Sequence, residues 1–125
     1  MSHTGRILVI EDDPDFLNIL KMTFARFVDR YEVDYVSTYD EGLEGVTSGN
    51  HDLYLTDYML DHGNTGDSLV DEAARRDYPI IMLTALDDHK LHVRMTRAGA
   101  QACLRKDTIN SETIHHLVQN ALSRH

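Results

Sequence analysis

Five short apolar runs rich in branched residues alternate with longer segments of helical period, and that alternation leaves this chain few folds. Ile7 to Ile10 predicts a fully buried first strand, Leu53 to Thr56 a third, Ile80 to Leu83 a fourth and Ala102 to Leu104 a short fifth. The second run, Tyr31 to Val36, instead alternates Tyr31, Val33 and Tyr35 with Glu32 and Asp34, the pattern of a strand near a sheet edge with one face open to water. Strand and helix in repetition predict a doubly wound α/β domain. Right-handed crossovers return each strand in the same direction, so the five-stranded sheet is parallel and helices cover both its faces.

Local signals mark the helix ends. Asp13 and Pro14 offer an N-cap and a preset first residue for a helix running through Phe16, Leu20, Phe24 and Phe27. Thr38 and Glu41 make a capping-box pattern ahead of Leu43 and Val46, with Gly49 as the stop. Asp61, Gly63, Asn64 and Gly66 predict a loop before a third helix containing Leu69, Val70, Ala73 and Ala74. Asp87 and Asp88 suit the positive end of a fourth helix that Gly99 closes. The fifth has the clearest period, with Ile114, Leu117, Val118, Ala121 and Leu122 on one stripe and Asn110 or Ser111 as its cap.

A length of 125 residues with 42% hydrophobic content suits one domain with a real core, so a single domain over residues 1–125 with no attached output domain is expected. The net charge of −9 disfavours direct contact with nucleic acid or an anionic membrane, whose phosphates attract basic surfaces. Cys103 is alone and cannot form an internal disulfide, and no apolar run is long enough for a signal peptide or a membrane span. A cytoplasmic protein is the expectation.

In an open parallel sheet all strands end at one edge, where ligands bind. Glu11 and Asp12 end the first strand, Asp57 the third, Thr84 the fourth and Lys106 follows the fifth, so these residues are expected to meet. Close carboxylates repel by up to about 4 kcal/mol at an effective dielectric of 20. A hard divalent cation would offset that repulsion, and few carboxylates plus waters suit Mg2+ better than Ca2+. With Lys106 and the Thr84 hydroxyl nearby, the set suits receipt of a phosphoryl group, with Asp57 as nucleophile. Each residue alone is readily a turn, a cap or a solvated charge. Together they are harder to dismiss, because an apolar strand runs directly into three acids at the functional edge.

These residues carry a resemblance. Arg6-Ile-Leu-Val-Ile-Glu-Asp-Asp-Pro14, Leu55-Thr-Asp-Tyr58, Met82-Leu-Thr-Ala85 and Leu104-Arg-Lys106, in this order and at these separations, resemble the receiver domain of two-component response regulators, and the match spans nearly the whole chain. The resemblance implies a flavodoxin-like fold with strand order 2-1-3-4-5. It also implies a phosphorelay in which Asp57 accepts a phosphoryl group from a sensor histidine kinase, a histidine phosphotransfer protein or a small phosphodonor. Carried over by position, Glu11 and Asp12 are the acidic pair that holds Mg2+, Asp57 and the Met59 carbonyl are further ligands, Thr84 turns toward the phosphoryl group, and Lys106 contacts its oxygens. Such a domain catalyses its own phosphorylation and dephosphorylation but is mainly a switch. Its downstream partner is unknown, and a homodimer through helix four, strand five and helix five is a further expectation. Met59 and Leu86 sit where relatives tune attack by water, and their apolar bulk predicts slow self-hydrolysis.

Two positions depart from the family pattern. Asp107 stands where relatives usually carry a proline after the lysine, so either a trans bond or a strained cis bond is expected, and Cys103 stands where many place a rotating Tyr or Phe. These departures motivate one alternative, a non-phosphorylated pseudo-receiver that acts as a protein-interaction module. A flavin-binding reading fails because Glu11, Asp12 and Asp13 occupy the place of a phosphate loop, and a dehalogenase-like phosphatase would need an Asp where Met59 stands. The lone Cys103 reads as packing, and the eight histidines, His89, His92, His115 and His116 among them, form no ligand signature.

Overall fold

Successive side chains of a strand point to opposite faces of its sheet, and here that parity sorts the apolar residues into two cores. In the computed structural model, which describes residues 5–123, β1 (Gly5–Ile10) sends Ile7 and Val9 to one face and Leu8 and Ile10 to the other. β3 (Leu53–Asp57) divides Leu55 from Tyr54, and β4 (Ile80–Thr84) divides Leu83 from Met82, in the same way. The first core is closed by α1 (Pro14–Ala25) and α5 (Ser111–Ser123), through Phe16, Leu20 and Phe24 and through Ile114, Val118 and Ala121. The second is closed by α2 (Tyr39–Ser48), α3 (Asp67–Arg75) and α4 (His89–Ala98), through Val46, Leu69, Val70, Leu91 and Met95. Each fully buried aliphatic side chain contributes about 2 kcal/mol, and both faces of β1 are occupied, so this strand lies at the centre of the stability.

The strands lie in the order β2-β1-β3-β4-β5, with β2 (Tyr31–Val36) and β5 (Ala102–Arg105) at the edges and every pair parallel. This is the expected flavodoxin-like arrangement, and β2 is the edge strand its alternation predicted. The chain leaves β1 toward β2 on one side and enters β3 on the other. That reversal opens a crevice at the carboxyl ends of β1 and β3.

Close approach fixes α2 over the sheet. A Cβ on Gly42 would lie 2.8 Å from the Ile10 Cγ2 atom. The predicted caps are formed: the Asp13 side chain accepts from Asp15 N, Thr38 from Glu41 N, and Gly49 closes α2 at φ 68°, where glycine carries no steric cost. Two boundaries sharpen the sequence reading. α1 ends at Ala25, not beyond Phe27, because the chain must reverse to begin β2; Phe27 still reaches the first core from the following turn, 4.4 Å edge-on to the His115 ring. Of the two candidate caps for α5, Asn110 is the one used, its Oδ1 accepting from Thr113 N at 2.9 Å. Among the described residues no helix is long and apolar enough to cross a membrane.

Candidate functional site

Glu11 follows β1 with its backbone N–H still donating to Val36 O at 3.0 Å, so the first acid is held by the sheet and not by a free loop. It is completely buried, and its Oε2 accepts from Asp13 N at 3.1 Å, while Asp12 beside it is exposed. Asp57 is the last residue of β3 and is also buried. From the third direction comes Lys106, which opens a short 3-10 turn after β5 and places Nζ 2.8 Å from Glu11 Oε1 and 3.1 Å from Asp57 Oδ2. The ammonium also lies 4.5 Å from the centre of the Phe16 ring, an additional attraction from the floor of the site.

Electrostatics follow from this packing. Burial pushes the Glu11 carboxyl up to about 7, Lys106 draws it back down, and the charge on Asp57 adds to the rise. Asp12 is also raised, first by burial and then by Asp57. For Lys106 burial favours the neutral amine, but Glu11 and Asp57 outweigh it and hold the group above the ordinary lysine value. Removing any one of these charges therefore changes what the others can do.

Carboxylate oxygens of Glu11, Asp12 and Asp57 all lie within 4.8 Å of one another, and this is the only group of potential ligands found among the described residues. Three carboxylates against one ammonium leave an excess of two negative charges. Glu11 Oε1 is buried and, although close to Lys106, has no aligned hydrogen bond. An all-oxygen donor set with two negative charges in excess fits a hard divalent cation. Met59 lies on the loop that follows, half exposed, with its backbone bridged to Thr65.

Thr84 ends β4, almost wholly buried, and its Oγ1 accepts the Leu86 N–H at 3.0 Å, so the hydroxyl is turned onto its own loop. All six residues singled out from the sequence thus lie at the same sheet edge, with Glu11, Asp57 and Lys106 in direct contact. The bond between Lys106 and Asp107 is trans, as are all others described. Cys103 is half buried against the second core, where burial pushes its thiol up to about 11.

Tyr58 was not anticipated. Its hydroxyl donates to Asp67 Oδ2 at 2.9 Å and accepts from Arg94 Nη2 at 2.6 Å, and Arg94 also pairs with Asp67 at 3.3 Å. The residue after Asp57 is thereby tied to the first turn of α3 and the middle of α4. No sequence signal links Tyr58 to Arg94, which lie 36 positions apart. Asp67, an acid opening a helix, is the one member that a sequence reading could have marked.

Known proteins place this geometry. The family described as the response regulator receiver domain matches residues 7–119. The regulatory protein VanRB of Enterococcus faecalis is 33% identical over 101 residues, covering 81% of this chain and 45% of that protein. The sensor histidine kinase TmoS of Ectopseudomonas mendocina is 28% identical over 126 residues, 98% of this chain but 12% of its own length. The chain therefore spans less than half of these curated relatives. Among solved structures, a CheY-like receiver domain from Methanospirillum hungatei superposes with a TM-score of 0.83 at 27% identity, covering 98% of this chain and 96% of that one. The beryllofluoride-activated receiver domain of Klebsiella pneumoniae RstA gives a TM-score of 0.80 at 25% identity, covering 94% and 97%.

Proposed function

The chain belongs to the response regulator receiver family, and from that premise we propose that Asp57 is the phosphoacceptor of a two-component relay. One observation carries the reading: Lys106 reaches into a buried site and bridges Glu11 and Asp57 at 2.8 and 3.1 Å. A cation placed beside a carboxylate nucleophile is what an incoming phosphoryl group requires, because its oxygens bring further negative charge.

In the proposed step a carboxylate oxygen of Asp57 forms a bond to phosphorus as the bond from phosphorus to the donor's histidine nitrogen breaks. The bonding electrons leave with the imidazole, which regains its neutral form on taking a proton. Lys106 is positioned to pair with the phosphoryl oxygens. The Thr84 oxygen accepts the Leu86 N–H and its own O–H remains free to donate, so a turn of this side chain toward the phosphoryl group would couple occupation of Asp57 to the loop after β4. Glu11, Asp12 and Asp57 would hold Mg2+, with the Met59 carbonyl as a further ligand. The ion would supply positive charge against which the phosphoryl oxygens are stabilised.

The proposed donors are a sensor histidine kinase or histidine phosphotransfer protein, and the response is delivered to a downstream protein or a second copy through the face formed by α4, β5 and α5. Met59 and Leu86, 52% and 46% exposed, flank the site with apolar side chains, which supports a slowly hydrolysed acyl phosphate. A lifetime of seconds would contradict that part. The central test is intact mass after incubation with acetyl phosphate and Mg2+, beside metal-chelated protein and Asp57→Asn. One added phosphoryl group, absent from both controls, is expected. No adduct together with no beryllofluoride binding would favour an interaction module that signals without phosphorylation.

A further inference from the structure

Among the described residues β2 is bonded on one side only, to β1. Val36 O accepts from Glu11 N on that inner side, and the backbone groups of a strand in a parallel ladder turn by alternate residues to its two edges. Val33 and Tyr35 therefore turn their N–H and C=O groups outward. Side chains alternate as well, between the two faces of the sheet. Tyr31, Val33 and Tyr35 lie on the face that α1 covers, and Asp34 and Val36 on the face that α2 covers.

A groove opens on each side of this edge, and the two differ in chemistry. Between α1 and β2 lies a groove of 210 Å³ walled by Phe24, Val28, Tyr31, Val33 and Tyr35. The Lys21 ammonium stands at its rim, 5.4 Å from the centre of the Tyr35 ring, so this side suits apolar groups and repels a cation. Between β2 and α2 lies a groove of 310 Å³ with Asp34, Glu41, Glu44 and His51 in its wall. Arg6 pairs with Glu32 and Asp34, and Glu41 accepts from the Thr38 hydroxyl, but neither Glu41 nor Glu44 has a cation partner among the described residues. Both are exposed, and this side suits cations.

We infer that the open edge of β2 is a docking site for an extended segment of a partner protein in which apolar and basic residues alternate. The backbone of that segment continues the sheet as a sixth strand, bonded to Val33 and Tyr35, while its own alternation sends apolar side chains toward α1 and basic ones toward α2. A second copy of this chain is a poor occupant, because pairing two β2 edges would bring the carboxylates of Glu32, Asp34, Glu41 and Glu44 toward their own counterparts. The charges that guard this edge against self-association are thus the ones that admit a basic strand. β2 lies at the opposite side of the sheet from β5, and the inference needs no chemistry at Asp57.

The experiment follows the fluorescence anisotropy of a labelled synthetic peptide of alternating Val and Lys, titrated with the full chain. Saturable binding is expected, weakened about tenfold in Glu41→Gln/Glu44→Gln, the combined size of two partly screened charges. Asp71→Asn/Glu112→Gln makes the same change in net charge on α3 and α5 and should lose much less. Urea midpoints by circular dichroism equal to that of the wild type show that both pairs are folded. Backbone N-methylation of the peptide supplies the second readout. In an antiparallel sixth strand the valines donate to Val33 and Tyr35, and in a parallel one the lysines do, so methylating one set should abolish binding and methylating the other should preserve it. Unimpaired binding of both methylated peptides would mean contact through side chains alone and would overturn the inference. So would equal loss in the two double variants, or no saturable binding of the parent peptide.

Discussion

Arg105 and Lys106 are adjacent cations, and each holds two carboxylates, yet the two clusters are different physical objects. Lys106 is 14% exposed and its partners Glu11 and Asp57 are 0% and 7% exposed. Arg105 lies 3.2 Å from Asp87 and also pairs with Asp107, but its partners are 82% and 64% exposed. Water and salt screen the outer cluster, so its attraction is offset by ordering of the side chains and contributes little. In the inner cluster the charges have lost their hydration and depend on one another. The same residue types therefore make a surface decoration in one place and a buried, mutually dependent cluster one residue later, and the pleat at the end of β5 decides which is which.

The most severe break in this contrast is Lys106→Met. It leaves Glu11 and Asp57 buried without their cation, and metal-free stability should fall by on the order of 3 kcal/mol, read as a shift of the urea midpoint by circular dichroism. Under the proposed function, the rate of labelling by acetyl phosphate, followed by intact mass, should fall by several hundredfold, the cost of removing one charged partner of the reacting group. A variant as stable and as fast as the wild type would mean that Lys106 is a surface lysine after all.

A second test asks whether the outer cluster is felt inside. Cys103 lies two residues before Arg105, and a nearby guanidinium in low dielectric would lower its pKa. Burial instead pushes the thiol up to about 11. Since the thiolate is the nucleophile, alkylation by iodoacetamide at neutral pH should run on the order of a hundredfold slower than for a free thiol. Its rate should rise through about pH 11 and not near 9. The sign follows from the cause: burial penalises the charged form, so the protonated thiol is favoured and persists to higher pH. A midpoint near or below the ordinary value would show that the charge on Arg105 penetrates the core.

The network of Tyr58, Asp67 and Arg94 lies between these extremes, with a half-buried tyrosine between charges 40% and 58% exposed. Under the proposed function, with Thr84 turned onto Leu86 here, these contacts would belong to the unswitched arrangement, and removing them should favour the other. Tyr58→Phe is expected to raise affinity for beryllofluoride with Mg2+ by about threefold, the scale of a partly screened contact. Unchanged affinity would indicate that the network persists in both states.

The sequence made the inner cluster legible and the rest opaque for identifiable reasons. Glu11, Asp57 and Thr84 end apolar runs, and a parallel sheet sends every strand end to one edge, so their convergence required only the topology. The Phe16 ring beneath Lys106 and the path from Tyr58 to Arg94 depend on how α1 and α4 lie on the sheet, which periodicity does not specify. The last residue of α1 was likewise obscured, because Phe27 continues the apolar period from within a turn. The turning of Thr84 onto Leu86 is a rotamer choice without any sequence signature.

The smallest expected effect bears on the family departure at Asp107. In place of a proline, this chain has an acid whose carboxylate is held well below its ordinary range, first by hydrogen bonding to Arg105. Asp107 is 64% and Arg105 36% exposed, and Asp87 reaches the same guanidinium from the loop after β4. If this cluster positioned Lys106, then Arg105→Ala and Asp107→Ala would slow phosphoryl transfer in parallel, and raising the salt would do the same to the wild type. If it is the screened decoration that its exposure indicates, neither variant should move the urea midpoint or the labelling rate measurably. The second result is expected, because the inner contacts of Lys106 with Glu11, Asp57 and Phe16 already determine its position without help from outside. A loss in both variants, restored by Arg105→Lys in the first, would reverse the ranking of the two clusters.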